Sequence, residues 1–203
     1  MTPVERIVRY NLHERLVHAA AGITYVYLLL TGLAFWTPAL YWLAIVLGGG
    51  YLSRLLHPWI GLVFSGVLLV MWASWRREMK TTRDDREWRK HIVEYMTNQD
   101  EKVPPAGRFN YGQKQFFWLM VIASVALIVS GIVLWGITSV PGELAWVRYA
   151  AILIHSVSGL VTMGLFIVHL YMGIAVVPGG LSAIVRGEVT SEWARQHHSA
   201  WKP

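Results

Sequence analysis

Four stretches of this chain contain no charged residue: Leu16–Trp36, Leu55–Trp75, Phe116–Ile137 and Tyr149–Val177. A helix rising 1.5 Å per residue needs roughly 20 apolar residues to cross a bilayer, and each stretch is long enough. Within lipid, backbone N–H and C=O groups must be satisfied inside the segment itself, which restricts a chain of this kind to helices or a closed barrel. Uninterrupted apolar runs select the helix. Composition agrees, with 55% hydrophobic residues, only 15% charged ones and a mean hydropathy of +0.41, outside the range of ordinary soluble domains. The expectation is an all-α integral membrane protein, a four-transmembrane-helix bundle forming a single domain over 1–203. A fifth run, Ala39–Leu47, is too short to span and precedes Gly48-Gly49-Gly50; it reads as an interfacial segment. The first residues lack the pattern of a cleaved signal peptide, so the first run reads as a retained helix.

Charge sets the expected orientation. Three Lys and Arg precede the first run, ten lie in the 76–115 loop and three in the 178–203 tail, whereas the two opposite loops carry only Arg54 and Arg148. The positive-inside rule then puts both termini and the long loop in the cytoplasm. The net charge of +6 is thereby a topological signal, and no nucleic-acid partner is expected. Trp36, Trp42, Trp75, Trp118, Trp135 and Trp146 fall near run ends, as an aromatic belt would. With no cysteine, the chain can hold neither a disulfide nor a thiolate-ligated iron–sulfur cluster. Inside the loop, RREMKTTRDDREWRKHIVEYM has the mixed pattern of a surface amphipathic helix ended by Pro104-Pro105.

Four histidines lie inside the apolar runs, where an ionisable side chain is costly without a partner. With that topology, His57 and His155 share the outer level of the membrane, and His18 and His169 the inner one. His155 and His169 are fourteen residues apart, about 21 Å and nearly four helical turns, so one face of the fourth helix presents them at two depths. Imidazole suits iron, and helix bundles commonly hold cofactors between facing helices. Two depth-matched pairs therefore fit the axial positions of two b haems.

Each of these histidines has a glycine four residues later: Gly22, Gly61, Gly159 and Gly173. Residues i and i+4 stack on one helical face, so each glycine clears the space a flat macrocycle would need. His13, His91, His197 and His198 are followed at the same offset by Val17, Tyr95, Trp201 and Lys202. Glycine is 18 of 203 residues, too few for a fourfold coincidence to be compositional. Close helix packing through small residues is the competing explanation. Zinc would find only half its tetrahedral shell in such a pair, and a proton relay built from the histidines remains an alternative. Arg54 and Arg148 on the outer side, and Arg9 and Arg15 on the inner, are candidate partners of haem propionates or simple interfacial anchors.

The chain resembles the membrane b-type cytochrome (gamma) subunit of respiratory formate dehydrogenase. The resemblance spans nearly the whole length and rests on ERIVRYNLHERLVH, LSRLLHPWIG, GRFNYGQK, LIHSVSG, VHLYMG and VTSEWARQHH, above all on the spacing of the four histidines. It implies two b haems, His57 with His155 holding the outer iron and His18 with His169 the inner, in the bacterial cytoplasmic (inner) membrane. It further implies an iron–sulfur beta subunit that delivers electrons, a molybdenum- or tungsten-containing alpha subunit that oxidises formate, and a higher oligomer of that heterotrimer. The electron acceptor would be a quinone, menaquinone or ubiquinone, bound near the cytoplasmic face by residues matching Asn110, Gly112, Gln113 and His169. Asn110-Tyr111-Gly112 is equally readable as a helix cap and turn. Two other functions stay open: the cytochrome b subunit of another respiratory dehydrogenase such as a hydrogenase, and a haem-free transporter or anchor.

Overall fold

The computed structural model describes residues 5–97 and 99–202. Among them, four helices are long and apolar enough to cross a membrane. We label the elements in chain order: β1 (Arg6–Val8), α1 (Leu12–Trp36), α2 (Trp42–Val46), α3 (Gly50–Trp75), α4 (Arg83–Trp88), α5 (Ile92–Met96), α6 (Tyr111–Trp135), α7 (Ala145–Tyr171), α8 (Gly180–Arg186), β2 (Glu188–Thr190) and α9 (Ser191–His197).

Helices α1 and α6 start earlier than the apolar runs because their first turns are polar and self-capped. Asn11 Oδ1 accepts from Glu14 N while the Glu14 carboxylate accepts from Asn11 N, both at 2.9 Å. Asn110 and Gln113 repeat this reciprocal box at the start of α6, both bonds at 3.0 Å. Each box satisfies donors that a helix N-terminus otherwise leaves orphaned. Ahead of α3, Gly48 and Gly49 both adopt a φ of +98°, a left-handed turn that a β-carbon would strain. The short α2 before it is the non-spanning segment expected from Ala39–Leu47. The single amphipathic helix expected after residue 76 is instead broken into α4, a 3₁₀ turn at Arg89–His91 and α5. A Thr82–Asp85 capping box starts α4, and the buried Trp88 ring packs 5.1 Å from Tyr95.

The chain forms two compact units, each with its own interior. One comprises Val17–Met71 and Met120–Gly164. Its outside is apolar, with Ile23, Leu69, Ile122 and Leu153 exposed, while small hydroxyl residues (Thr31, Ser53, Ser124, Ser130, Thr162) are buried. This inversion suits lipid, where small polar residues mediate helix packing.

The other unit comprises Trp72–Leu119 with the residues before Val17 and after Gly164. Antiparallel pairing of Ile7 with Val189 joins β1 to β2. Ala183, Val189 and Ala194 form a small core covered by Ile7, Tyr10, Trp193 and Trp201. Arg9 is 2% exposed and lies about 5 Å from the ring centres of Tyr10, Trp193 and Trp201. It donates to Arg108 O at 2.9 Å and to His198 Nε2 at 3.0 Å. Arg108 clasps Glu14 through both carboxylate oxygens at 2.8 and 2.9 Å and also reaches Glu78, and Trp75 Nε1 donates to Glu14 at 2.9 Å. Burial works against the Arg108 cation, yet hydrogen bonds and charge from Glu14 and Glu78 raise its pKa.

Candidate functional site

Two of the four predicted histidines come together inside the first unit. His57 on α3 and His155 on α7 have ring centroids 6.4 Å apart, at an interplanar angle of 62°. They line a cavity of about 970 Å³ with Arg54, Gly61, Gly159, Phe64 and Met163 among its walls, within the size range of cofactor sites. Both rings reach the same cavity and imidazole nitrogen suits iron, so His57 and His155 are the residues that would hold a haem iron there.

A β-carbon added at Gly22, Gly61, Gly159 or Gly173 meets nothing within 4 Å, which leaves room for a planar group, and the same holds at Gly66 on α3 and Gly164 on α7. Two other glycines lie against the paired histidines. A β-carbon at Gly32 would lie 3.9 Å from His57 Cε1, and one at Gly131 only 3.2 Å from His155 Cε1.

Beside these two glycines stand hydroxyls that the sequence reading did not single out. Thr31 Oγ1 is 2.7 Å from His57 Nδ1, and Ser130 Oγ is 3.0 Å from His155 Nδ1. Their signal was present in sequence as TGLAFW and SGIVLW, each twenty residues after a capping asparagine, Asn11 or Asn110. Without knowing which helices face the histidines, that match carries no meaning.

His18 belongs to the first unit and His169 to the second. His169 stacks on Phe116 of α6, with centroids 4.7 Å apart and an angle of 12°. Phe116 is one turn beyond Gln113, so the two share a helical face. Asn110, Gly112 and Gln113 form the first turn of α6, and Asn110 is 2% exposed with its Nδ2 buried and unpartnered. The cap explains its Oδ1 but leaves the amide nitrogen without an acceptor. A β-carbon at Gly112 would sit 3.4 Å from Asn110 Oδ1 and 3.9 Å from Trp88, so this turn is closely packed.

Of the basic candidates, Arg54 lines the cavity beside His57. Arg148 donates to Val140 O and has a buried Nε without a partner. Arg9 is caged by aromatic rings as described, and Arg15 donates to Ile184 O and Val185 O at the end of α8. The last two are engaged in contacts of the fold.

Four membrane-length helices with two histidines facing one cavity fit a membrane cytochrome of the b type, and comparison with known proteins gives that family. The profile of prokaryotic cytochrome b561 matches residues 9–187, and the chain belongs to that family. Its family and its four apolar helices make it a multi-pass protein of the bacterial inner membrane, and the family implies haem b. It is 34% identical over 197 residues to the formate dehydrogenase cytochrome b556(fdo) subunit of Escherichia coli K12, covering 97% of this chain and 92% of that protein. The nitrate-inducible formate dehydrogenase cytochrome b556(Fdn) subunit of the same strain is 29% identical over 204 residues, 99% of this chain and 92% of that one. The formate dehydrogenase cytochrome b556 subunit of Haemophilus influenzae is 33% identical over 202 residues, 97% and 82%.

Proposed function

We propose that this chain is the di-haem cytochrome b subunit of a formate dehydrogenase complex, carrying electrons from an iron–sulfur partner subunit to a quinone at the cytoplasmic side. Formate oxidation belongs to a molybdenum- or tungsten-containing partner. The observation that carries the reading is the facing of His57 and His155 across an apolar cavity that Gly61 and Gly159 leave open. Bound haem supplies an iron that gains and loses one electron without a change of protein ligand. His57 and His155 hold the outer one, with Arg54 available to an anionic propionate at the cavity wall. His18 and His169 hold the inner one, a pairing that rests on their matched depth in the sequence and on the glycine that follows each of them at i+4.

For the quinone, the unpartnered Asn110 Nδ2 is a donor suited to a carbonyl oxygen, and Gln113 and Phe116 continue that face toward His169. Uptake of electrons outside and protons inside moves charge across the membrane without a pumping helix.

A reduced-minus-oxidised visible spectrum of the purified protein tests the proposal, together with haem per chain. Two b-type haems per chain are expected, and His155→Ala should remove one. Absence of b-type absorbance, or loss of both or neither in that variant, refutes it.

A further inference from the structure

We propose that Thr31 and Ser130 are positioning residues for the outer haem: each accepts the Nδ1 hydrogen of its histidine and so leaves Nε2 bare for the iron. The inference rests on reading His57 and His155 as haem ligands. A hydroxyl has one hydrogen to give. Thr31 Oγ1 lies 2.8 Å from Tyr27 O, and Ser130 Oγ lies 2.6 Å from Ala126 O. Two oxygens that close need a hydrogen between them, because their lone pairs otherwise repel. Both hydroxyl hydrogens therefore point back along their own helices, a bond common for Ser and Thr in membrane segments.

It follows that the histidine supplies the hydrogen in the 2.7 and 3.0 Å contacts. With that hydrogen on Nδ1, neutral imidazole carries its lone pair on Nε2. The opposite tautomer would block Nε2 and leave two hydroxyls facing carbonyls with no hydrogen between. Thr31 is fully buried and Ser130 is 4% exposed, so water does not substitute for either; the Leu127 carbonyl is a second acceptor for His155 beside Ser130. Gly32 and Gly131, the next residues in each helix, admit the imidazole rings against α1 and α6. One ligand is thereby oriented by α1 and the other by α6, through the same dipeptide pattern of hydroxyl then glycine.

An accepted Nδ1 hydrogen also makes the imidazole a stronger donor to the metal, which favours the oxidised iron. Deleting the acceptor should raise the midpoint potential of the outer haem alone. The potential responds to the difference in that bond's strength between oxidised and reduced iron, so the whole of one ordinary bond, about a tenfold change in the oxidised-to-reduced ratio, sets a ceiling of about 59 mV for a one-electron couple.

The test is a potentiometric titration of the purified complex, followed in the visible, for wild type, Thr31→Val, Ser130→Ala, Thr31→Ser and Ser130→Thr. His155→Ala identifies which component is the outer haem. Thr31→Val and Ser130→Ala should each raise that component, by up to about 59 mV, and leave the other component in place, while Thr31→Ser and Ser130→Thr titrate as wild type. Should haem be lost from Thr31→Val, its retention in Thr31→Ser supports the inference and its loss from both overturns it. Unchanged potentials in Thr31→Val and Ser130→Ala with full haem also overturn it. A wild type lacking any component that His155→Ala removes overturns the underlying haem reading instead.

Discussion

The C-terminal tail should open as the pH falls, and His198 sets the slope. Its Nε2 accepts from Arg9 and its Nδ1 donates to Gly107 O at 2.7 Å, so both nitrogens are committed in the neutral form. Burial first, and then the Arg9 charge, depress its pKa to about 3, against the opposing pull of the Gly107 carbonyl; the His197 ring beside it adds a weaker push downward. A folded pKa below the unfolded value of 6.5 means the stabilisation is complete above pH 6.5 and is lost as pH falls toward 3. Over that window the equilibrium constant for releasing the tail should rise about tenfold per pH unit, which is about 1.4 kcal/mol per unit and about 2 kcal/mol by pH 5. Because the chain has no cysteine, Lys202→Cys gives one attachment point for a nitroxide label next to Trp201. Its electron paramagnetic resonance spectrum should be immobilised at pH 7.5 and gain a mobile component between pH 6 and 4. His198→Gln keeps an acceptor near Arg9 but cannot titrate, and its label should show no transition in that window. Equal pH profiles in the two proteins, or release on raising the pH, would refute the reasoning.

Three further outcomes are expected. Gly159→Leu fills space that no other atom occupies, so haem content should fall from two to one per chain while helicity by circular dichroism is kept. Asn110→Ser retains an N-cap oxygen of comparable strength but deletes Nδ2; quinone reduction should weaken by roughly tenfold or more, with the thermal midpoint close to wild type. Arg108→Met leaves the buried Glu14 carboxylate without its cation, and breaking a buried pair in this way costs about 3–5 kcal/mol, reduced here because Arg108 is partly exposed. A thermal melt of the detergent-solubilised protein should show the loss, and Glu78→Gln, at the exposed end, should change it little.

Periodic, local features were legible from residues alone. Apolar run length placed four helices, because it depends only on helical geometry; the i, i+4 histidine–glycine offset is equally local, but Gly66 and Gly164 are as open without it. The reciprocal caps Asn11–Glu14 and Asn110–Gln113 were equally local; Asn110 was readable as a cap, but taking helix starts from the apolar runs put them several residues late. The cation cage of Arg9 was illegible for the opposite reason: its aromatic walls come from both ends of the chain. Thr31 and Ser130 fall between these cases. Hydroxyls are unremarkable in membrane helices, and only the approach of α3 and α7 gives these two a task. The amphipathic stretch after residue 76 was read as one helix because its period persists, whereas the Trp88–Tyr95 contact accompanies a tightened turn between them.

The clasp between Arg9 and His198 has a temporal side. These residues are 189 positions apart, and at about 5–20 residues per second of synthesis that is an interval of roughly 10–40 s. Throughout it, the N-terminal arginine lacks His198 and the rings of Trp193 and Trp201, while all four apolar runs emerge and can enter the bilayer. The segments around Arg9 and His198 thus close behind the helices, in a step that must wait until Trp193 and His198 have been made.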